Sequence, residues 1–171
     1  MAETAAAAPP SPSDESFRKG LAALERRTYR EAAGFFQEAI DQERSEGVKN
    51  PRMKYLSFLG LSLTLGNTRV DEGVKLCEQS VRREFFDPDL YCNLGIVYLR
   101  TRQKRLAFEA FQKGLNLKPS HRRIQEELER YDRRSYPVFT FLPRTHPVNV
   151  LAGRVRYRLR VLLNREVSSE G

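Results

Sequence analysis

Pro88-Asp89-Leu90-Tyr91-Cys92-Asn93-Leu94-Gly95-Ile96-Val97-Tyr98, followed by Ala107, Phe111, Gly114 and Leu115 and closed by Pro119, is the stretch that decides the fold. Gly95 and Ala107 lie 12 residues apart, the interval at which the two helices of a hairpin cross closely enough to demand small side chains. The steps of 4 and 3 that carry the chain on to Phe111 and Gly114 stay on one face of the second helix. The same order recurs upstream. Gly20, Ala32, Phe36 and Ala39 repeat the gaps 12, 4 and 3, and Gly60, Gly73, Cys77 and Ser80 give 13, 4 and 3. Crossed helix pairs repeated three times predict an all-α class.

The pattern resembles the tetratricopeptide repeat, whose unit is 34 residues, the separation of Gly73 and Ala107. The third unit carries the bulky-Leu-Gly-Tyr spacing of the family's first helix. The first keeps Tyr29, Ala32, Phe36, Ala39 and Ile40 but has Lys19 where the family prefers Leu, and it lacks the closing Pro. The second diverges most, with Gly73 and Ser80 in place of alanines, an extra residue near Gly66-Asn67 and a longer lead-in from Gly47 to Pro51. The resemblance covers residues 14–121 and implies an α-α superhelix, a solenoid of helical hairpins.

Composition fits one core: 171 residues, 40% hydrophobic and 30% charged. Residues 1–13 are mostly Ala, Pro and Ser and read as a disordered arm, too poor in large apolar side chains to offset the entropy of ordering. This start lacks the charged-then-apolar order of a secretory signal, and no apolar run is long enough to span a bilayer, so a cytoplasmic location, with a membrane-peripheral variant, is the expectation. The repeat domain is expected over 14–134. Its end is a capping helix at 120–134, with Ser120 as N-cap and Ile124, Leu128 and Tyr131 as a narrow apolar stripe. The alternative for that helix is the start of a fourth, degenerate unit.

Residues 135–171 differ in character. Tyr136-Pro137-Val138-Phe139-Thr140-Phe141-Leu142-Pro143 alternates apolar residues between prolines and reads as an extended strap. From Arg133 to Arg165 there are eight Arg, no Lys and no acid, a charge equal to the +8 of the whole chain. Arg144 lies in the irregular part, and Arg154, Arg156, Arg158 and Arg160 alternate with apolar residues. As a strand this puts four guanidiniums on one face; as a helix, the preferred reading, it makes an apolar stripe flanked by Arg. Such a tail is either a solvated face or a contact for an anionic membrane, an acidic protein or nucleic acid.

Catalytic chemistry finds no footing. His121 and His146 stand 25 residues apart with no second ligand at metal spacing, so no metal and no cofactor are expected. Asp87 and Asp89 flank Pro88 as helix-start residues rather than as an acid and base pair, and Gly60 and Gly95 belong to no phosphate loop. Cys77 and Cys92 read as reduced, half-buried small hydrophobes. The chain is expected to be no enzyme and to take no small-molecule substrate.

Function then falls to the groove that the first helices of the units would line. The resemblance implies Phe17, Leu21 and Leu24 from the first unit, Lys54, Ser57, Leu61 and Thr64 from the second, and Asp89, Cys92, Ile96 and Leu99 from the third. Family members that clamp C-terminal carboxylates of chaperones need Lys, Asn and Arg there, whereas Phe17, Leu21 and Asp89 hold those places, which argues against such a clamp. The expected function is a non-enzymatic adaptor or scaffold that takes a peptide or amphipathic helix in the groove. The alternatives are a peripheral protein that binds anionic membrane or nucleic acid through the basic tail, and an accessory subunit of an enzyme or secretion complex.

Overall fold

The helices at Pro12–Glu25 and Pro88–Arg100 start where a side chain supplies the backbone partner that a helix end lacks. The computed structural model describes residues 11–134, which hold α1 (Pro12–Glu25), α2 (Tyr29–Ser45), α3 (Met53–Leu65), α4 (Val70–Arg83), α5 (Pro88–Arg100), α6 (Lys104–Leu117) and α7 (Arg122–Arg134). The strap and the basic tail lie outside the described residues. The Ser11 hydroxyl accepts the amide N–H of Asp14 at 3.2 Å, Pro12 takes the first helical position, and Asp14 and Glu15 complement the positive end of α1. The reading of residues 1–13 as an arm is therefore corrected at its inner end: a cap and a helix-starting Pro are hidden in the Ala/Pro/Ser composition, and Ser13 is buried. At α5 the Asp87 carboxylate accepts the Asp89 amide at 2.8 Å, with Pro88 again at the start.

The three hairpin turns share one device. Arg27, Asn67 and Arg102 each hold a left-handed backbone, with φ of 63°, 52° and 63°. The amide of the next residue reaches back to close the helix: Thr28 to Ala23, Thr68 to Leu63 and Gln103 to Tyr98.

Small residues then let the hairpins close. A Cβ added at Gly20 would sit 2.5 Å from the Phe36 ring, one at Gly60 would sit 2.6 Å from the Gly73 carbonyl oxygen, and one at Gly95 would overlap the Phe111 ring. These are the crossings that the intervals of 12 and 13 residues predict. α2 packs on both α1 and α3, and α4 on both α3 and α5, while α3 and α5 also touch directly. Phe17, Phe36, Tyr55 and Phe58 from the first three helices form an aromatic cluster with centroid separations of 4.8 to 5.6 Å. α3 is apolar nearly all round, and every residue from Ser57 to Thr64 is buried.

The chain divides into two compact units, Met1–His121 with the first six helices and Arg122–Gly171 with α7. It begins two residues later than expected, because Ser120 lies in the preceding turn. Ile124 and Leu128 are buried, and Arg122 pairs with Glu126 at 2.7 Å.

Candidate partner-binding face

One helix of each hairpin faces the same way. α1 meets α3 through Phe17 and Tyr55, and α3 meets α5 where the Asn93 amide donates to the Ser57 hydroxyl at 3.1 Å. At the start of these helices Lys54 lies 3.8 Å from Asp89 and 5.6 Å from the centroid of the Phe17 ring. His121 Nε2 lies 3.3 Å from the other Asp89 oxygen. These contacts align α1, α3 and α5 in one layer, running in the same direction.

The eleven groove residues expected from sequence separate into two groups. Leu21, Leu24, Lys54, Asp89, Ile96 and Leu99 are each partly exposed, so a partner can reach them. Lys54 and Asp89 form a polar pair at one end, and the four aliphatic residues lie further along α1 and α5. Phe17, Ser57, Leu61, Thr64 and Cys92 are buried and are corrected from groove to core. Phe17 is enclosed by the aromatic cluster. The Ser57 hydroxyl accepts from the Asn93 amide and its carbonyl from the Cys77 thiol, and Thr64 donates to the Gly60 carbonyl against Gly73. The physical reason is the position of α3, which has α2, α4 and α5 packed around it, so few of its side chains are left to a partner.

Both cysteines are fully buried and outside any disulfide, more enclosed than the half-buried expectation. Burial pushes the Cys77 thiol up to about 12, far from the thiolate a nucleophile needs. Among the described residues no cluster of His, Cys, Asp or Glu could hold a metal ion, and no helix is long and apolar enough to cross a membrane.

Sequence reasoning missed a second polar assembly. Arg52 donates through its guanidinium and its backbone N–H to the buried carboxylate of Glu43, and through Nη1 to Asp14 at 2.6 Å. The Tyr55 hydroxyl donates to the same Asp14 oxygen at 2.8 Å. Hydrogen bonds from Ser11, Arg52 and Tyr55 lower Asp14 to about 2. The signal was legible: Glu43 follows Ile40 on the core face of α2, and a buried acid needs a cation.

This arrangement of hairpins has the tetratricopeptide-repeat fold. The structure is similar to the Arabidopsis OM64 TPR domain at 17% identity and a TM-score of 0.54, covering 72% of this chain and 96% of that one. It is also similar to the Sgt2 TPR domain from Aspergillus fumigatus at 20% identity and a TM-score of 0.57, covering 73% and 80%. A third likeness is to YrrB, described as a TPR protein with an unusual peptide-binding site, at 15% identity and a TM-score of 0.52. It covers 70% of this chain and 58% of YrrB. No family model and no curated protein matches the sequence.

Proposed function

We propose that the chain is a protein-interaction module that seats an extended or helical segment of another protein on the face built by α1, α3 and α5. The observation that carries this reading is the juxtaposition, on one layer, of the partly exposed aliphatic residues Leu21, Leu24, Ile96 and Leu99 with the Lys54–Asp89 ion pair. Apolar side chains give such a surface its affinity, and a polar pair at one end fixes direction, a division of labour common to grooves that take amphipathic helices. The likeness to YrrB supports a peptide as the ligand class. The adaptor role belongs to this proposal, as does a non-catalytic one: the buried thiols and the paired acids offer no activated nucleophile.

The test is selection of binding peptides from a displayed library with the full chain, followed by Ile96→Arg and Leu99→Glu. Both positions are partly exposed, so thermal stability should hold to within about 0.5 kcal/mol. Loss of peptide binding in both variants supports the face. Binding that survives both would place the peptide elsewhere and remove the reading.

A further inference from the structure

Among the described residues, the large apolar side chains left exposed are Val48, Phe85, Phe86 and Leu117. All four fall on one edge. Val48 lies in the connection from α2 to α3, the two phenylalanines in that from α4 to α5, and Leu117 at the end of α6. The connections are tied together: Arg83 donates to the Asn50 side chain at 3.0 Å, and both residues line an open surface depression with Pro51, Arg52, Met53, Glu84 and Phe86. The His121 to Asp89 contact joins the end of the α6 connection to the start of α5. Phe85 and Phe86 are 67% and 64% exposed and touch each other edge to face, with centroids 5.9 Å apart. Exposed aromatics at that level, gathered on one edge instead of scattered, mark a contact surface.

A cation lies within three residues of each exposed apolar side chain, although Glu84 and Asp87 are the direct neighbours of Phe85 and Phe86. Lys49 follows Val48, Arg82 and Arg83 precede Phe85, and Lys118 follows Leu117. Glu46, Glu84 and Asp87 are the acids of the same connections; Arg82 pairs with Glu78 at 3.1 Å, while Lys49 and Lys118 make no ion pair among the described residues. We propose that this edge docks on an anionic lipid surface, with Phe85 and Phe86 entering the acyl boundary and the lysines meeting the headgroups. Three features favour lipid over a protein partner. The apolar groups lie in or next to the connections that follow α2, α4 and α6, which a soft planar surface meets together without shape complementarity. Lys49 and Lys118 stand directly beside Val48 and Leu117, as expected where long basic side chains snorkel beside an inserted group, while Arg82 and Arg83 at the end of α4 flank Phe85 and Phe86 across Glu84. Lysine, moreover, is depleted from protein interfaces. The peptide face uses other residues, so the two surfaces stand or fall separately, and the edge is distinct in sequence from the tail arginines Arg144, Arg154, Arg156, Arg158 and Arg160.

The chain contains no Trp, so Phe86→Trp places a single indole, excited apart from the tyrosines, at the edge of the full-length protein. With vesicles of phosphatidylcholine and phosphatidylserine its emission should shift to the blue and be quenched by brominated acyl chains, and added salt should weaken both effects. Phosphatidylcholine alone should give less binding. In sedimentation with the same acidic vesicles, Phe85→Ser combined with Phe86→Ser should bind about tenfold or more weakly, with an unchanged helical spectrum, since two aromatic side chains leave the interface. If the Phe86→Trp variant sediments with the vesicles while its indole emission stays unmoved, the proposal is overturned and the contact belongs to the tail. Failure to bind acidic vesicles would also overturn it, as would a lipid-free shift that grows with protein concentration, which marks a second copy as the occupant.

Discussion

Gly95 admits the Phe111 ring so closely that any side chain must displace it. Gly95→Leu is therefore expected to cost on the order of 1 to 3 kcal/mol, read as a lower midpoint of thermal unfolding. Gly60→Ala carries a harder penalty than its single methyl suggests, because the obstacle is the Gly73 carbonyl oxygen and not a side chain free to turn. These positions were the most legible in the sequence, since a close crossing leaves no choice of residue. The turns were not. Arg27 and Arg102 hold the left-handed backbone that favours glycine, and no side-chain signal announces it. The strain at such a residue is roughly 1 kcal/mol or a little more, and the added freedom of glycine in the unfolded chain returns part of it, so Arg27→Gly and Arg102→Gly should each stabilise by about 0.5 kcal/mol. Asn67→Gly should gain less, because Asn tolerates that conformation. Urea unfolding of the three variants orders them.

At the scale of helices, Arg52 fastens the start of α1, the end of α2 and the start of α3 through Asp14 and Glu43. Arg52→Ala would leave the Glu43 carboxylate buried without its cation, a loss of about 2 to 3 kcal/mol of unfolding free energy. The network also sets a pH dependence. Asp14 is held at about 2 in the folded chain against an ordinary 3.8, so its stabilising contribution is complete above about pH 3.8 and is lost as pH falls through about 2. Asp14→Asn should flatten the acid limb of stability in that window, so that its unfolding midpoint falls less than that of the wild type between about pH 4 and about pH 2. Position in the array also explains why most of the expected groove residues on α3 are buried, while α1 keeps two partly exposed leucines and α5 an isoleucine and a leucine. Periodic positions carried over from the family treat every first helix alike, yet the run Phe58-Leu59-Gly60-Leu61-Ser62-Leu63 has no polar face to give a groove. That absence, readable in the sequence, marks a helix enclosed on all sides. Phe85 and Phe86 carry no comparable signal, because a loop has no helical periodicity.

Across the first unit, burial is greatest in α3 and falls toward its neighbours, as expected of an array in which each hairpin is covered only by those beside it. Amide hydrogen exchange should then be slowest in α3, and Phe36→Ala, although made in α2, should speed exchange in α1 and α3 as well, because its ring contacts Phe17 and Phe58. The same geometry separates the two proposed surfaces. Ile96 and Leu99 belong to the layer of α1, α3 and α5, whereas Phe85 and Phe86 lie in the connection ahead of α5 and share no packed partner with them among the contacts described. Substitutions at sites without shared partners combine additively to within about 0.5 kcal/mol. Ile96→Arg should thus remove peptide binding and leave vesicle binding intact, Phe85→Ser with Phe86→Ser should do the reverse, and the combined variant should show the two losses side by side. A measured coupling above that margin would mean that lipid and peptide compete for one surface, with the α4–α5 connection forming part of the peptide site.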